Sequence, residues 1–155
     1  MTKKSNIAKS EKLQAVYNEL NIKDDEVLYL TIKGVFFDRI LNGTKKIEFR
    51  DNADHYWKKI ANFDRDNQYL GDKPLKYILL QAGYNPDSPR LLVEFDYYAW
   101  VNNVDNPKEL GKISVSKVNA DKTLIEKEAK IEGFEKEDEY IALVLGKILY
   151  HETFK

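Results

Sequence analysis

The chain of 155 residues contains no cysteine. Disulfides, thiolate nucleophiles and thiolate zinc sites are therefore excluded. Histidine is nearly absent too, with only His55 and His151, far apart in sequence. A histidine-built metal site is not expected, and acid–base work would fall to Lys, Glu, Asp or Tyr. No apolar run approaches the ~20 residues of a membrane span, and the first residues lack a signal-peptide core. The expectation is a cytoplasmic protein with no membrane partner, no metal and no cofactor. Neither charge is in excess: 25 basic and 26 acidic residues give a net charge of −1. The broad basic face of a dedicated duplex binder is not expected. Residues 1–60 carry +3 and residues 105–140 carry −3, an asymmetry that reads as solvated surface. No internal repeat or low-complexity tract interrupts the chain.

The composition, 43% hydrophobic and 33% charged, is that of a globule with a sizeable core and a strongly charged surface. Residues 1–9 read as a polar tail. Leu13, Val16, Tyr17 and Leu20 then fall on one helical face, with Ser10 as N-cap. Residues 26–33 alternate as a first strand, and residues 35–42 form a short helix with a wide apolar side. Gly43 ends that helix, because glycine tolerates the left-handed turn that follows. A strand over residues 45–50 comes next, then a helix through Ala61 capped by Asp51 or Asn52. Residues 62–74 are rich in Asp, Asn, Gly and Pro and read as a loop. Residues 75–82 and 91–101 form a hairpin around the turn 83–89. In its second arm Leu91, Val93, Phe95, Tyr97, Ala99 and Val101 point one way, while Leu92, Glu94, Asp96, Tyr98 and Trp100 point the other. Residues 113–118 alternate like a strand, residues 123–131 fit a strand or a helix, and residues 135–139 read as an exposed acidic run. Residues 140–154 are apolar on both faces, as in a central strand, with Gly146 marking a bulge or bend. Five or six strands with few helices indicate an α+β fold built on a small, partly open barrel.

The stretch 43–50, GTKKIEFR, stands out. Alternation puts Ile47 and Phe49 on one face and Glu48 and Arg50 on the other, directly after a corner that carries Lys45. Opposite charges held half-buried beside a corner can bind an anion or set up a proton transfer. The ordinary reading is a surface ion pair. Strict alternation places Lys46, not Lys45, on the Glu48 face.

The spacing Gly43-x-Lys45-x-x-Glu48-x-Arg50 resembles the signature of the ASCH domain, a relative of the PUA domain, at all four positions. The flanks are similar as well: LYLTIKGVFFDRILN before it and a Tyr-Trp-Lys-Lys helix after it. The likeness covers residues 26–103 and, more loosely, the closing strand. It selects Lys45 over Lys46. It implies a PUA-like barrel over residues 26–155, with residues 1–25 as an added tail and helix. It also implies a cleft on Gly43, Lys45, Glu48 and Arg50 that takes single-stranded RNA or a nucleotide-like small molecule. Some relatives hydrolyse acylated cytidine, with a lysine at the position of Lys45 and a threonine nucleophile where this chain has Glu48. That departure removes the hydroxyl, so the mechanism does not carry over, and the relatives' further catalytic glutamate has no clear counterpart. If the chain is an enzyme, Lys45 and Glu48 are its catalytic candidates, with Glu48 as base for water in a hydrolase or ribonuclease. A non-catalytic interaction protein is the third class.

Other candidates flank the same corner. Lys33 ends the first strand and could meet phosphate, although a corner lysine is usually only solvated. Tyr84 and Arg90 lie on the hairpin loop, where function is carried more often than packing. Tyr98 and Trp100 sit on an otherwise polar face and either stack bases or pack beneath the 104–138 segment.

Overall fold

A computed structural model of the chain describes residues 10–102, 112–115, 121–135 and 138–153. Its centre is a sheet of β1 (Val27–Ile32), β5 (Tyr77–Ala82), β6 (Arg90–Asn102), β8 (Tyr140–His151) and β2 (Ile47–Asp51), paired in that order. The outermost strands of this path are β1 and β2. β1 and β5 run parallel; the other pairs are antiparallel. β7 (Lys112–Val115) pairs with the end of β6. The fold is mixed α+β, and the curled sheet is a partly open half-barrel.

The two faces carry different helices. α2 (Gly34–Leu41) and α3 (Asp54–Ile60) cover the inner face, where Phe37, Ile40 and Ile60 pack with Leu30, Leu80, Val93 and Leu143. On the outer face α1 (Glu11–Glu19) sets Leu13 and Tyr17 against Val27, Leu79 and Leu92. The Ser10 side chain accepts from the Leu13 amide and caps α1, as its position predicts. α4 (Lys122–Ile131) covers the rest of the outer face, with Ile125 and Ala129 against Ile47, Phe49 and Val144. β8 is a central strand, which explains its apolar residues on both sides.

Several expectations are corrected. The segment read as a loop contains a second small sheet, β3 (Ala61–Phe63) with β4 (Tyr69–Asp72). Turn formers mark its tip, where the Asp64 carboxylate accepts from the Asp66 and Gln68 amides at 2.8 and 2.9 Å, but Asn62, Gly71 and Asp72 lie within the two strands. Strands this short fall below any periodic window. The cap of α3 is Ala53, with no side-chain bond, rather than Asp51 or Asn52, because β2 runs on through Asp51. Residues 123–131, open to strand or helix from the sequence, belong to the helix Lys122–Ile131, capped by the Asp121 carboxylate on the Leu124 amide. Of the strand expected over residues 113–118, the part beyond Val115 lies outside the described residues. Glu139, expected in an exposed run, is half-buried and accepts from Trp100 and Asn52.

β6 does not keep one phase. Its register against β8 shifts at Leu92/Val93, Val93/Phe95 and Phe95/Tyr97. Leu91, Val93 and Phe95 pack inward, whereas Tyr97, Ala99 and Val101 pack outward. A one-residue slip exchanges the faces of everything after it. Tyr98 and Trp100 are thereby turned onto the α3 side. Gly146 lies in this region, where a Cβ would stand 3.0 Å from the Glu94 Cβ, so any larger residue would crowd the Glu94 side chain.

Candidate functional site

The two outermost strands of the five-strand path, β1 and β2, do not pair with each other; one side chain joins them. The Arg50 Nη2 on β2 donates to the Thr31 carbonyl on β1 at 2.8 Å. A cleft of about 610 Å³ lies along this seam. Lys33, Gly34, Phe36, Glu48, Arg50, Tyr56 and Tyr84 are among its walls.

The corner before β2 is built by backbone. Gly43 has φ +85°, a region open to glycine and strained for other residues. The Thr44 and Lys45 amides then both donate to the Arg39 carbonyl, at 2.9 and 3.0 Å. This folds the chain back tightly and sends the Lys45 side chain inward, which breaks the alternation that favoured Lys46. Lys45 is only 1% exposed. Its ammonium donates to the Ile47 carbonyl at 2.5 Å, pairs with Glu132, and lies 3.4 Å from Glu48 Oε1. Phe36 and Phe49 close over it, with ring centroids 5.1 and 5.4 Å away.

Glu48 then meets Arg50, with Oε2 at 2.6 Å from Nη2. The result is a row of alternating charges, Glu132, Lys45, Glu48, Arg50, running from α4 to the seam. Burial pushes the Glu48 carboxyl above its ordinary range, and the charges of Arg50 and Lys45 only partly oppose this. Arg50 stacks its guanidinium near Tyr56, 5.5 Å from the ring centroid, and its Nε–H is buried without an acceptor among the described residues.

α4 and the residue at its C-cap supply two groups that sequence reasoning missed. Glu128 accepts from the Lys46 and Ile47 amides at 3.1 and 3.2 Å, so it holds the start of β2. Glu132 holds Lys45. Ile125, Glu128, Ala129 and Glu132 are spaced i, i+3, i+4 and i+7, and carboxylates on an otherwise apolar helical stripe were the available signal. The choice between strand and helix for this segment hid it.

The candidates thus separate into places. Lys33, Glu48, Arg50 and Tyr84 line the seam cleft, and Tyr84 is 88% exposed. Gly43 shapes the corner, and Lys45 lies behind the wall as an enclosed counter-ion. Arg90 is elsewhere: it is buried on the outer face and donates to the Pro86 carbonyl at 3.3 Å. Strand parity decides this, because Leu91 beside it points inward. Tyr98 and Trp100 pack edge-on against Trp57 of α3, with centroids 5.8 and 6.1 Å apart. Among the described residues no group of three His, Asp or Glu is arranged to hold a metal ion, and no helix is long and apolar enough to cross a membrane.

Comparison of the chain with protein-family models, with curated proteins and with solved structures gave no match.

Proposed function

We propose that the seam cleft binds the phosphate and sugar of single-stranded RNA or of a nucleotide-like ligand, as the ASCH resemblance of residues 43–50 implies. One observation carries this reading. α2 begins at the cleft without a side-chain cap, its Ncap residue is Lys33, and Arg50 faces the same space. Free backbone amides at a helix start favour an anion, and two cations strengthen that preference. Tyr84, exposed at the rim, offers a ring on which a base can stack. Glu48 and Asp51 also line the cleft, so the local charge is balanced. The site suits one or two phosphates held by placement, not a polyanion held by a field.

The test is a polarisation titration of a labelled short RNA and of a mononucleotide. Lys33→Ala removes an exposed cation and spares the core. It should weaken binding about tenfold, as loss of a charge-assisted hydrogen bond does. Arg50→Ala should weaken it at least as much. Equal affinity of wild type, Lys33→Ala and Lys33→Glu would overturn the proposal.

A second reading, a hydrolase acting on a modified nucleoside, is favoured by the raised proton affinity of Glu48 beside a cleft. It requires turnover of an acylated nucleoside that Glu48→Gln reduces by roughly a hundredfold. No turnover by the wild type would remove it.

A further inference from the structure

α3 separates two clefts of different character. Tyr56 faces the charged seam, while Trp57 faces a second cleft of about 370 Å³. The walls of this second cleft include Trp57, Trp100, Tyr98, Tyr69, Phe63 and Asn67. Five of those six side chains are aromatic, and they come from α3, from the β3–β4 hairpin that directly follows it, and from the slipped half of β6, which is distant in sequence.

The polar edges of the rings are already occupied. The Trp57 indole donates to Asn52 at 2.6 Å and the Trp100 indole donates to Glu139 at 3.1 Å. The Tyr69 and Tyr98 hydroxyls both donate to Asp72 Oδ1, at 2.8 and 2.7 Å. What the rings present to the cleft is therefore carbon and π surface. The polar groups left are at the rim: the Asn67 amide, the Asp54 carboxylate and the Lys58 ammonium, none with a partner among the described residues. Asn67 is held in place by its backbone, with φ +61° in a turn that its own amide closes onto the Asp64 carbonyl at 3.0 Å. The ring pairs here meet edge to face, which leaves ring faces open to a flat ligand, and a side-chain amide at the cleft's mouth calls for a donor and an acceptor side by side on that ligand's edge. A nucleobase has both.

We propose that this cleft is a binding site for a nucleobase, held by stacking on the rings and by edge contacts to Asn67. The inference does not rest on the seam cleft being a ligand site. A base with its sugar and no phosphate is a sufficient occupant.

The chain has two tryptophans, and both line this cleft, so their signals report on its occupancy. The experiment titrates the full chain with adenosine, guanosine, cytidine and uridine. It follows absorbance-corrected tryptophan fluorescence and the two indole N–H signals by NMR. Ribose 5-phosphate and tetramethylammonium chloride serve as controls for phosphate binding and for a simple cation cage. At least one nucleoside should quench saturably and move both indole signals, and the controls should not. Tyr69→Ala is the main variant, because Tyr69 is 58% exposed and outside the core. It should weaken nucleoside binding about fivefold to a hundredfold, as loss of one stacking ring does. Asn67→Ala should weaken it and flatten the preference among bases. Lys33→Ala should leave it unchanged. Silence of the indole signals with all four nucleosides would overturn the proposal, as would a response to tetramethylammonium alone. Undiminished binding by Tyr69→Ala would overturn it too, and so would equal weakening by Lys33→Ala, which would place the ligand in the seam.

Discussion

Replacing Lys45 by methionine removes one enclosed charge and keeps most of the side-chain volume. The ammonium pairs with Glu132, lies 3.4 Å from Glu48 Oε1 and donates to the Ile47 carbonyl. At 1% exposure, water has no room to take its place. The variant leaves two carboxylates and a carbonyl facing a thioether. Removing one partner of a buried pair costs about 3–5 kcal/mol. That is a large share of the roughly 5–15 kcal/mol that holds a domain folded. At about 2–4 °C per kcal/mol for this size, the melting temperature should fall by about 6–20 °C. Proton uptake relieves part of the cost. The folded Glu48 carboxyl already lies above its ordinary value of 4.5. A carboxyl raised in this way contributes stability that is fully present below its unfolded value and is lost as pH rises through the folded one. Loss of Lys45 removes one of the two cations that hold the folded value down, so in the variant this loss extends to higher pH. The deficit should therefore be smaller near about pH 5 than near about pH 8. Urea unfolding followed by circular dichroism measures both. Adding Glu132→Gln should recover at least about 1 kcal/mol, because the two sites are coupled. A deficit below about 1 kcal/mol, or one equal at both pH values, would show that the ammonium is not an enclosed counter-ion.

Three further outcomes follow from the same geometry. RNA binding in the seam should show a log–log salt slope of about −1.4, because Lys33 and Arg50 are the two cations on its walls and each single-strand contact contributes about −0.7; a slope steeper than about −5 would mean that another basic surface dominates. Glu128→Ala should cost about 1–3 kcal/mol in urea unfolding by stranding the Lys46 and Ile47 amides, and Glu128→Gln less, since it keeps an acceptor oxygen; equal losses would refute the hydrogen-bonding role. Gly43→Ala should cost about 1–3 kcal/mol through backbone strain alone, because nothing lies within 4 Å of the added Cβ; a neutral alanine would show that the corner relaxes out of its left-handed turn.

Much of the fold was legible because local rules and tertiary demands agree. The stripe of α1, its Ser10 cap and the alternation of β1 and β2 are local signals, and such signals survive packing. The hairpin of β5 and β6 was announced by a dense turn, and the apolar length of β8 by its central place. Gly43 was readable because its conformation is a property of one residue. What failed was parity over distance. Alternation in β6 cannot reveal a slip forced by β8, so the facing of Tyr97, Tyr98 and Trp100 was out of reach. The same limit applied to Arg90, whose loop position suggested exposure while its strand parity buried it.

The site divides in the same way. The sequence alone placed Glu48 and Arg50 on one face of a strand behind a glycine corner, because alternation and a left-handed turn act over a few residues. Only the tertiary structure decided what those charges meet. Glu128 and Glu132 come from a helix some 80 residues away, and their contacts with the start of β2 turn Lys45 from a surface cation into an enclosed one. The curl of the sheet brings Arg50 to Thr31 and opens a cleft between two strand edges that the chain order keeps apart. The aromatic cleft depends on a bulge and on two short strands with no signature of their own. Such encounters are set by long-range closure, in which each group's environment is supplied by chain that local pattern cannot see.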